Sequence, residues 1–157
     1  MLEGFTLARV YPSIVGNLSR NHFAVAGKST EQALVYLLHL ALEALDRGGC
    51  YLRLFVADLK KGFDLIDHFI LMEKLNLHWN FVRWVASFLQ GRAQVTRVSA
   101  SVSAPLYLNG GIPQGTKLGP VLFAVMVNDL VQSWGARIKF VDDLTVLKVV
   151  PRNSPSL

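Results

Sequence analysis

Two β-prone runs joined by a pair of aspartates most constrain how this 157-residue chain can fold. Ile138–Val141 and Leu144–Val149 have strand composition, and Asp142-Asp143 stands between them. Such a polar pair between apolar runs predicts a hairpin with the aspartates in its tight turn. Asp tolerates turn conformations, so this pair by itself also fits ordinary turn chemistry.

An earlier apolar run also ends in an aspartate. Tyr51–Ala57 has the composition of a short buried strand, and Asp58 stands at its C-terminal end. The connection from Asp58 to Asp142 is long enough to bring the two strands side by side. Clustered carboxylates need a positive partner, and two Mg²⁺ ions would supply it while holding the attacking and leaving oxygens of phosphoryl transfer. The aspartates therefore indicate a nucleotidyl-transferase site.

Helical and strand patterns alternate along the rest of the chain. The first thirty residues show no clear periodicity. Apolar spacing predicts a core helix from Thr30 to about Leu45, which Ser29 or Thr30 caps and Arg47-Gly48-Gly49 ends. The further predicted elements are helices from Asp67 to Leu75 and from Phe81 to Leu89, a hairpin of Gln94–Ser99 with Ala104–Leu108, a loop at Asn109–Pro113, and a long apolar helix at Leu118–Trp134. This order predicts one α+β domain.

Composition narrows the class of protein. The apolar fraction of 52% excludes a disordered chain. No apolar run is long enough to cross a bilayer, and Met1–Gly4 lacks the start of a secretory signal, so we expect an intracellular protein of the cytoplasm or nucleus that is not secreted. One cysteine, Cys50, excludes an internal disulfide. The formal charge of +5 is compatible with a polyanionic partner.

Individual basic residues and histidines carry less information. Each of five cations fits either a phosphate contact or a solvated surface position: Lys60, Lys61, Arg83, Arg92 and Arg97. The four histidines have no mutual metal-ligand spacing, which favours structural roles.

Four segments resemble, in the same order, the motifs of reverse transcriptases from non-LTR (LINE-type) retrotransposons. Phe55–Asp64 is similar to their first palm motif, Gly111–Pro120 to the second and Phe140–Asp143 to the third. Asn21–Thr30 resembles the fingers-proximal segment that precedes the first motif. Four motifs in order make this resemblance specific.

The resemblance implies a polymerase palm-like α+β fold, with an antiparallel sheet backed by helices, partial fingers and no thumb. It divides the partial domain 1–157 into a fingers-proximal segment, 1–50, and a palm, 51–150. It implies RNA-directed DNA polymerase activity with two Mg²⁺ ions, or Mn²⁺, and an RNA template, a DNA primer and deoxynucleotides as partners, with no membrane.

The resemblance also implies roles for individual residues. It assigns catalysis and metal binding to Asp58, Asp142 and Asp143. It assigns nucleotide binding to Phe63, Pro113, Gln114 and Gly115. In the family, a bulky ring at the position of Phe63 lies beneath the incoming sugar and excludes a 2′-hydroxyl.

Two alternatives stay open at this point. Since the segments expected before Asn21 and after Asp143 have no place in the chain, it also fits a non-catalytic reverse transcriptase remnant that binds nucleic acid weakly. The second alternative is a P-loop NTPase, because Gly27–Thr30 opens a helix and Leu54–Asp58 resembles a strand with a metal-binding Asp. That motif requires a glycine where His22 stands.

Overall fold

A computed structural model describes residues 2–153 of the chain. Its elements in chain order are α1 (Leu2–Asn17), α2 (Thr30–Asp46), β1 (Cys50–Asp58), α3 (His68–Lys74), α4 (Trp79–Leu89), β2 (Ala93–Gln94), β3 (Arg97–Val98), β4 (Ser101–Val102), β5 (Leu106–Tyr107), α5 (Gly119–Met126), β6 (Arg137–Phe140) and β7 (Asp143–Pro151). All of the strand pairs in these sheets are antiparallel, which confirms the predicted α+β class. Across the described residues, no helix has the length and apolar character needed to cross a membrane.

Two compact units make up the chain. The helical unit contains the residues up to Asn17 together with Lys61–Met126, and the sheet unit contains Leu18–Lys60 together with the residues from Val127 onward. Each unit is described by itself below.

The sheet unit has a three-stranded sheet with strand order β1-β7-β6. β7 lies at its centre and buries Leu144, Val146 and Leu147. The register of β1 on β7 runs from Cys50 opposite Pro151 to Asp58 opposite Asp143. α2 packs on this sheet and buries Ala33 beside Phe23 and Ile138. This core confirms the predicted sheet backed by a helix.

The ends of α2 follow the predicted capping residues. The Ser29 hydroxyl accepts a hydrogen bond from the Gln32 backbone N–H, and the Gln32 side chain accepts one from the Ser29 N–H. This capping box satisfies two donors that the first helical turn leaves free. Arg47 and two glycines of positive φ then end the helix.

The predicted burial of β1 was wrong, and the predicted core helix α2 is buried on one face only. β1 lies at an edge of the sheet, and its Tyr51, Leu54, Phe55 and Val56 side chains are between 54 and 62% exposed. α2 buries Ala33 and Ala44, whereas its leucine stripe is exposed: Leu34, Leu38, Leu42 and Leu45. The stripe through Ala33, Leu37 and Ala44 and the stripe of exposed leucines both have helical spacing. Periodicity therefore could not tell which of the two stripes faces the sheet.

The helical unit packs α3 against α4 and α5. Its core includes Leu71 of α3, Val85 and Leu89 of α4, and Leu122 and Phe123 of α5. The Asp67 side chain accepts hydrogen bonds from the N–H groups at the start of α3, as predicted. α4 begins two residues before its predicted start, with His78 as its cap.

Two helix predictions in and beside this unit need correction. α1 was not predicted, because Pro12 lies inside it and its apolar residues show no clear periodicity. Val10 and Ile14 nevertheless lie one turn apart and are buried. The helix predicted over Leu118–Trp134 was too long, because only α5, Gly119–Met126, is helical there. Beyond it, the Leu130 N–H donates to the Val127 carbonyl in a turn, and Val131 has a φ of 48°, which a helix does not continue through. The carbonyls of Val127 and Asn128 also accept hydrogen bonds from the Lys139 ammonium, at 2.7 Å each.

The hairpin between α4 and α5 forms as two short ladders. β2 pairs with β5, and β3 pairs with β4. Between the ladders, the Thr96 N–H donates to the Ser103 hydroxyl and the Ser103 N–H donates to the Thr96 carbonyl. Every residue from 93 to 109 is exposed.

A buried polar cluster joins the loop before α2 to β6. The Phe23 N–H donates to the Lys139 carbonyl, and the Lys139 N–H donates to the Asn21 carbonyl. Between them lies His22, which is fully buried and whose two ring nitrogens have no hydrogen-bond partner among residues 2–153. Burial, together with the Lys139 and Lys28 cations, lowers the pKa of His22 from 6.5 to about 4.

We predict that His22 makes the fold acid-sensitive. Between about pH 6.5 and 4 the unfolded chain binds a proton that the folded chain does not, so stability falls as the pH falls, by roughly 3 kcal/mol for this group. His22→Leu is expected to flatten the free energy of unfolding over this pH range, measured by urea denaturation. The exposed His39→Gln is the control and should retain the parent slope. A His22→Leu chain with the parent slope would show that other groups set the acid sensitivity.

Candidate active site

Asp58 and Asp143 lie directly opposite each other in the sheet unit. Asp58 is the last residue of β1 and Asp143 the first of β7, and they form one antiparallel register pair. Residues paired in this way project from the same face, with Cβ atoms typically about 4.5–5.5 Å apart. Both residues are exposed. The fold therefore brings together two carboxylates that the sequence separates widely.

Asp142 lies in the turn beside this pair. Asp143 pairs with Phe140, so the turn consists of Val141 and Asp142, and Asp143 belongs to the strand, which corrects the prediction that both aspartates occupy the turn. Val141 has a φ of 51°, a conformation that such turns require. The Asp142 carbonyl accepts a hydrogen bond of 3.1 Å from the Leu59 N–H, which joins the turn to the end of β1.

The three carboxylates carry like charges at adjoining positions of the sheet and its turn. Like charges at paired positions of a sheet are destabilising, so a bound cation would relieve their repulsion. Carboxylate oxygens are also the donors that a hard divalent ion prefers. Among residues 2–153, however, no three His, Cys, Asp or Glu side chains are grouped closely enough to hold a metal ion. The donor type fits Mg²⁺, and the assignment of all three aspartates as ligands stays a prediction.

Phe63 lies in the helical unit, where it stacks on Phe123 of α5. The two ring centroids are 4.6 Å apart and the ring planes differ by 8°. Phe123 is almost completely buried, whereas Phe63 is half-buried. One face of the Phe63 ring is thus held by the core. Phe123 was not predicted as a partner of Phe63, although it stands in the apolar run after Leu118.

The glycine-rich loop before α5 is fixed against the segment that follows Phe63. The Ile112 N–H donates to the Phe63 carbonyl at 2.7 Å, and the Gly111 N–H donates to the Ile66 carbonyl at 2.8 Å. Gly111 has a φ of 82°, and a Cβ there would lie 2.9 Å from the Asp64 carbonyl oxygen. Only glycine fits this approach without displacement.

This loop forms one wall of a pocket of about 750 Å³ within the helical unit. Gly110–Gln114 lines it together with Asp64, Arg92 and Gln94. The predicted nucleotide-binding residues Pro113 and Gln114 are therefore brought to the pocket, and Gly115 follows them with a φ of 79°. Asp64 was missed as a pocket residue, although its position directly after Phe63 in the first motif was a usable signal.

The loop proposed as a P-loop has a different role here. The Lys28 ammonium donates to the backbone carbonyls of Arg20 and His22 and lies 5.0 Å from the centroid of the Phe23 ring. Ser29 is the helix cap. α1 and a turn precede this loop, where a phosphate-binding loop requires a strand. These contacts give the P-loop alternative no support.

Comparison with known proteins links these features to one family. The sequence profile described as "Reverse transcriptase (RNA-dependent DNA polymerase)" matches residues 7–152. The chain is 31% identical over 106 residues to "Probable RNA-directed DNA polymerase from transposon BS" of Drosophila melanogaster, which covers 66% of this chain and 12% of that protein. It is 29% identical over 107 residues to "RNA-directed DNA polymerase from mobile element jockey" of Drosophila funebris, over 64% of this chain and 11% of that protein.

A solved structure shows that the fold is shared more widely. The chain matches apo telomerase from Candida tropicalis, truncated from the C-terminal domain, with a TM-score of 0.61 and 14% sequence identity. The match covers 98% of this chain and 33% of the telomerase chain.

We predict that the Asp58–Asp143 pair makes stability depend on magnesium. Asp143→Asn should raise the melting temperature in EDTA by roughly 0.4–4 °C, because it removes a like-charge contact of about 0.2–1 kcal/mol. Mg²⁺ should stabilise the parent chain, and the variant should lose most of that gain. Thermal denaturation with and without Mg²⁺ measures both effects, and the exposed Asp46→Asn is the control. An Asp143→Asn chain with the full magnesium response would contradict metal binding by this pair.

Proposed function

The chain belongs to the reverse transcriptase family, in the group found in non-LTR retrotransposons, and from this membership we propose that it adds deoxynucleotides to a primer 3′-hydroxyl on an RNA template. The chain spans 11–12% of the length of the curated relatives that it matches. The polymerase activity in the names of those whole proteins is therefore a proposal for this chain. The observation that carries the proposal is the register pairing of Asp58 with Asp143 beside Asp142. In the proposal, residues 1–50 are the fingers-proximal segment and 51–150 the palm.

Asp58, Asp142 and Asp143 would hold two Mg²⁺ ions, or Mn²⁺. Bound there, the divalent cations supply charge stabilisation for the attacking and leaving oxygens of the transferred phosphoryl group. The three carboxylates come from one strand end and one hairpin, and the sheet ladder holds two of them opposite each other. A site built on a sheet ladder keeps its geometry as substrates exchange, and this rigidity is what positioning catalysis requires.

Phe63 would select the sugar of the incoming nucleotide. Its stacking on buried Phe123 leaves the ring little freedom to move away from an added 2′-hydroxyl. Pro113, Gln114 and Gly115 would contact the nucleotide through the loop that Gly111 holds in place. The polar residues of the adjoining pocket support this role, because a nucleotide presents both an apolar ring and polar edges.

We predict that primer extension requires the aspartates. The parent chain should extend a DNA primer on an RNA template with Mg²⁺, and Asp142→Ala should reduce the extension rate about 100-fold or more, because several kcal/mol of transition-state stabilisation are lost. Asp46→Ala, at the exposed end of α2, is the matched control. Equal activity of the parent and Asp142→Ala, above a protein-free blank, would contradict the metal assignment. No extension by either chain would favour the non-catalytic alternative.

The second prediction of this proposal concerns sugar selection. Phe63→Ala should raise the use of ribonucleotides relative to deoxynucleotides by roughly 10- to 100-fold, because the ring no longer occupies the space of the 2′-hydroxyl. Single-nucleotide incorporation kinetics measure the ratio of kcat/KM values. Phe69→Ala, which removes an exposed ring of α3, should keep the parent ratio. An unchanged ratio in Phe63→Ala would leave Phe63 as a core aromatic only.

A further inference from the structure

The charges of the helical unit are distributed unevenly along the sequence. The stretch from Lys74 to Asn128 contains no Asp or Glu, although the chain has 11 such residues. The same stretch carries five basic residues, Lys74, Arg83, Arg92, Arg97 and Lys117. It includes all of α4, the exposed hairpin and α5. A stretch with cations and no anions favours a polyanionic partner.

Trp79 and Arg83 form an exposed aromatic and cationic pair on α4. They are one helical turn apart, so their side chains lie on the same face. Trp79 is 60% exposed, and the guanidinium carbon of Arg83 lies 4.5 Å from its ring centroid. Arg83 has no carboxylate partner among residues 2–153. These two residues are called the α4 platform.

The same combination of groups recurs further along this helix. The rings of Trp84 and Phe88 stack with centroids 5.7 Å apart and planes 13° apart. The Arg92 guanidinium lies 4.4 Å from the centroid of the Phe88 ring, while its Nε donates to the Phe88 carbonyl. Rings and guanidinium groups therefore contact one another at both ends of α4, from Trp79 and Arg83 to Phe88 and Arg92, and Arg92 also lines the pocket.

We propose that the α4 platform binds an unpaired base of a polynucleotide strand, which stacks on the Trp79 ring while Arg83 contacts the adjacent phosphate. Aromatic rings interleaved with arginines are how proteins bind single strands without sequence preference. A duplex keeps its bases stacked in the helix, so it cannot use the ring in this way. The inference rests on the proposed function in taking a polynucleotide as the ligand, and it assigns that ligand a second contact surface outside the aspartates.

Binding of short fluorescein-labelled oligouridylate and oligodeoxythymidylate, measured by fluorescence anisotropy in EDTA, tests the platform without catalysis. Trp79→Ala should weaken binding of both oligonucleotides roughly 5- to 150-fold, which corresponds to about 1–3 kcal/mol for a base-stacking ring. Arg83→Gln should weaken binding and reduce the slope of log affinity against log salt by about 0.7, the value for one lost phosphate contact on a single strand. Circular dichroism checks that the variants are folded.

Phe5→Ala is the matched control. Phe5 is 64% exposed on α1 and lies under Arg9 at 5.4 Å, but Glu3 stands in the first turn of that helix, outside the acid-free stretch. It should bind both oligonucleotides within twofold of the parent. Equal losses in Phe5→Ala and Trp79→Ala would overturn the proposal, as would an unchanged affinity in Trp79→Ala or an equal loss of affinity for duplex DNA.

A fluorescence experiment tests stacking without removing the ring. In a chain with Trp84→Phe and Trp134→Phe, Trp79 is the remaining tryptophan, and its emission should be quenched when oligodeoxythymidylate binds. Binding without quenching would overturn the stacking contact. If Trp79→Ala and Arg83→Gln weaken oligonucleotide binding as expected but the parent chain does not extend a primer, only the polymerase assignment is contradicted. Extension with no effect of Trp79→Ala on binding would contradict the platform alone.

Discussion

The antiparallel ladder of β1 on β7 is the constraint on which the candidate catalytic centre depends. It places Asp58 opposite Asp143 and joins the end of β1 to the turn that holds Asp142. A shift of one residue would turn one of the two carboxylates to the other face of the sheet. β6 extends the ladder on the other side of β7, and its pairing of Phe140 with Asp143 sets the length of the turn. The register of β1 on β7 therefore determines where the carboxylates lie.

This ladder depends in turn on a polar cluster that is costly to bury. Lys139 of β6 is almost completely buried, and its ammonium satisfies carbonyls of the segment that follows α5. His22 lies beside it, and neither of its ring nitrogens has a hydrogen-bond partner within residues 2–153, a cost of burial that the surrounding packing must offset. The backbone bonds of Asn21 and Phe23 to Lys139 attach the loop before α2 to β6. The segment that leads into α2 and the strand that leads into the aspartates are thereby stabilised together.

The helical unit contains two kinds of functional candidates: groups fixed by packing and hydrogen bonds, and groups exposed to solvent. Phe63 and the loop at Gly111 are fixed by a ring stack and by two short backbone hydrogen bonds. The α4 platform and the hairpin, by contrast, expose their rings and cations. Acidic side chains are absent from the stretch that contains these exposed groups. This distribution of charge suits a long polyanion, whose contacts are many and individually weak.

Local signals in the sequence alone determined the position of several helices and strands and the family of this protein. Capping residues and glycines located α2 and α3, strand composition located β1, β6 and β7, and four motifs in order identified the family.

Tertiary structure decided what those signals leave open. The sequence pattern permits either apolar stripe of α2 to face the sheet, and packing chose the one with Ala33. It also suggested a long helix after Leu118, but α5 ends at Met126 and the chain beyond it forms turns, with Val131 at a φ of 48°. Asp143 was expected in a turn and lies in a strand, because pairing with both Phe140 and Asp58 extends β7 to that residue. Burial, register and the ends of helices depend on partners distant in the chain, and a local pattern contains no information about them.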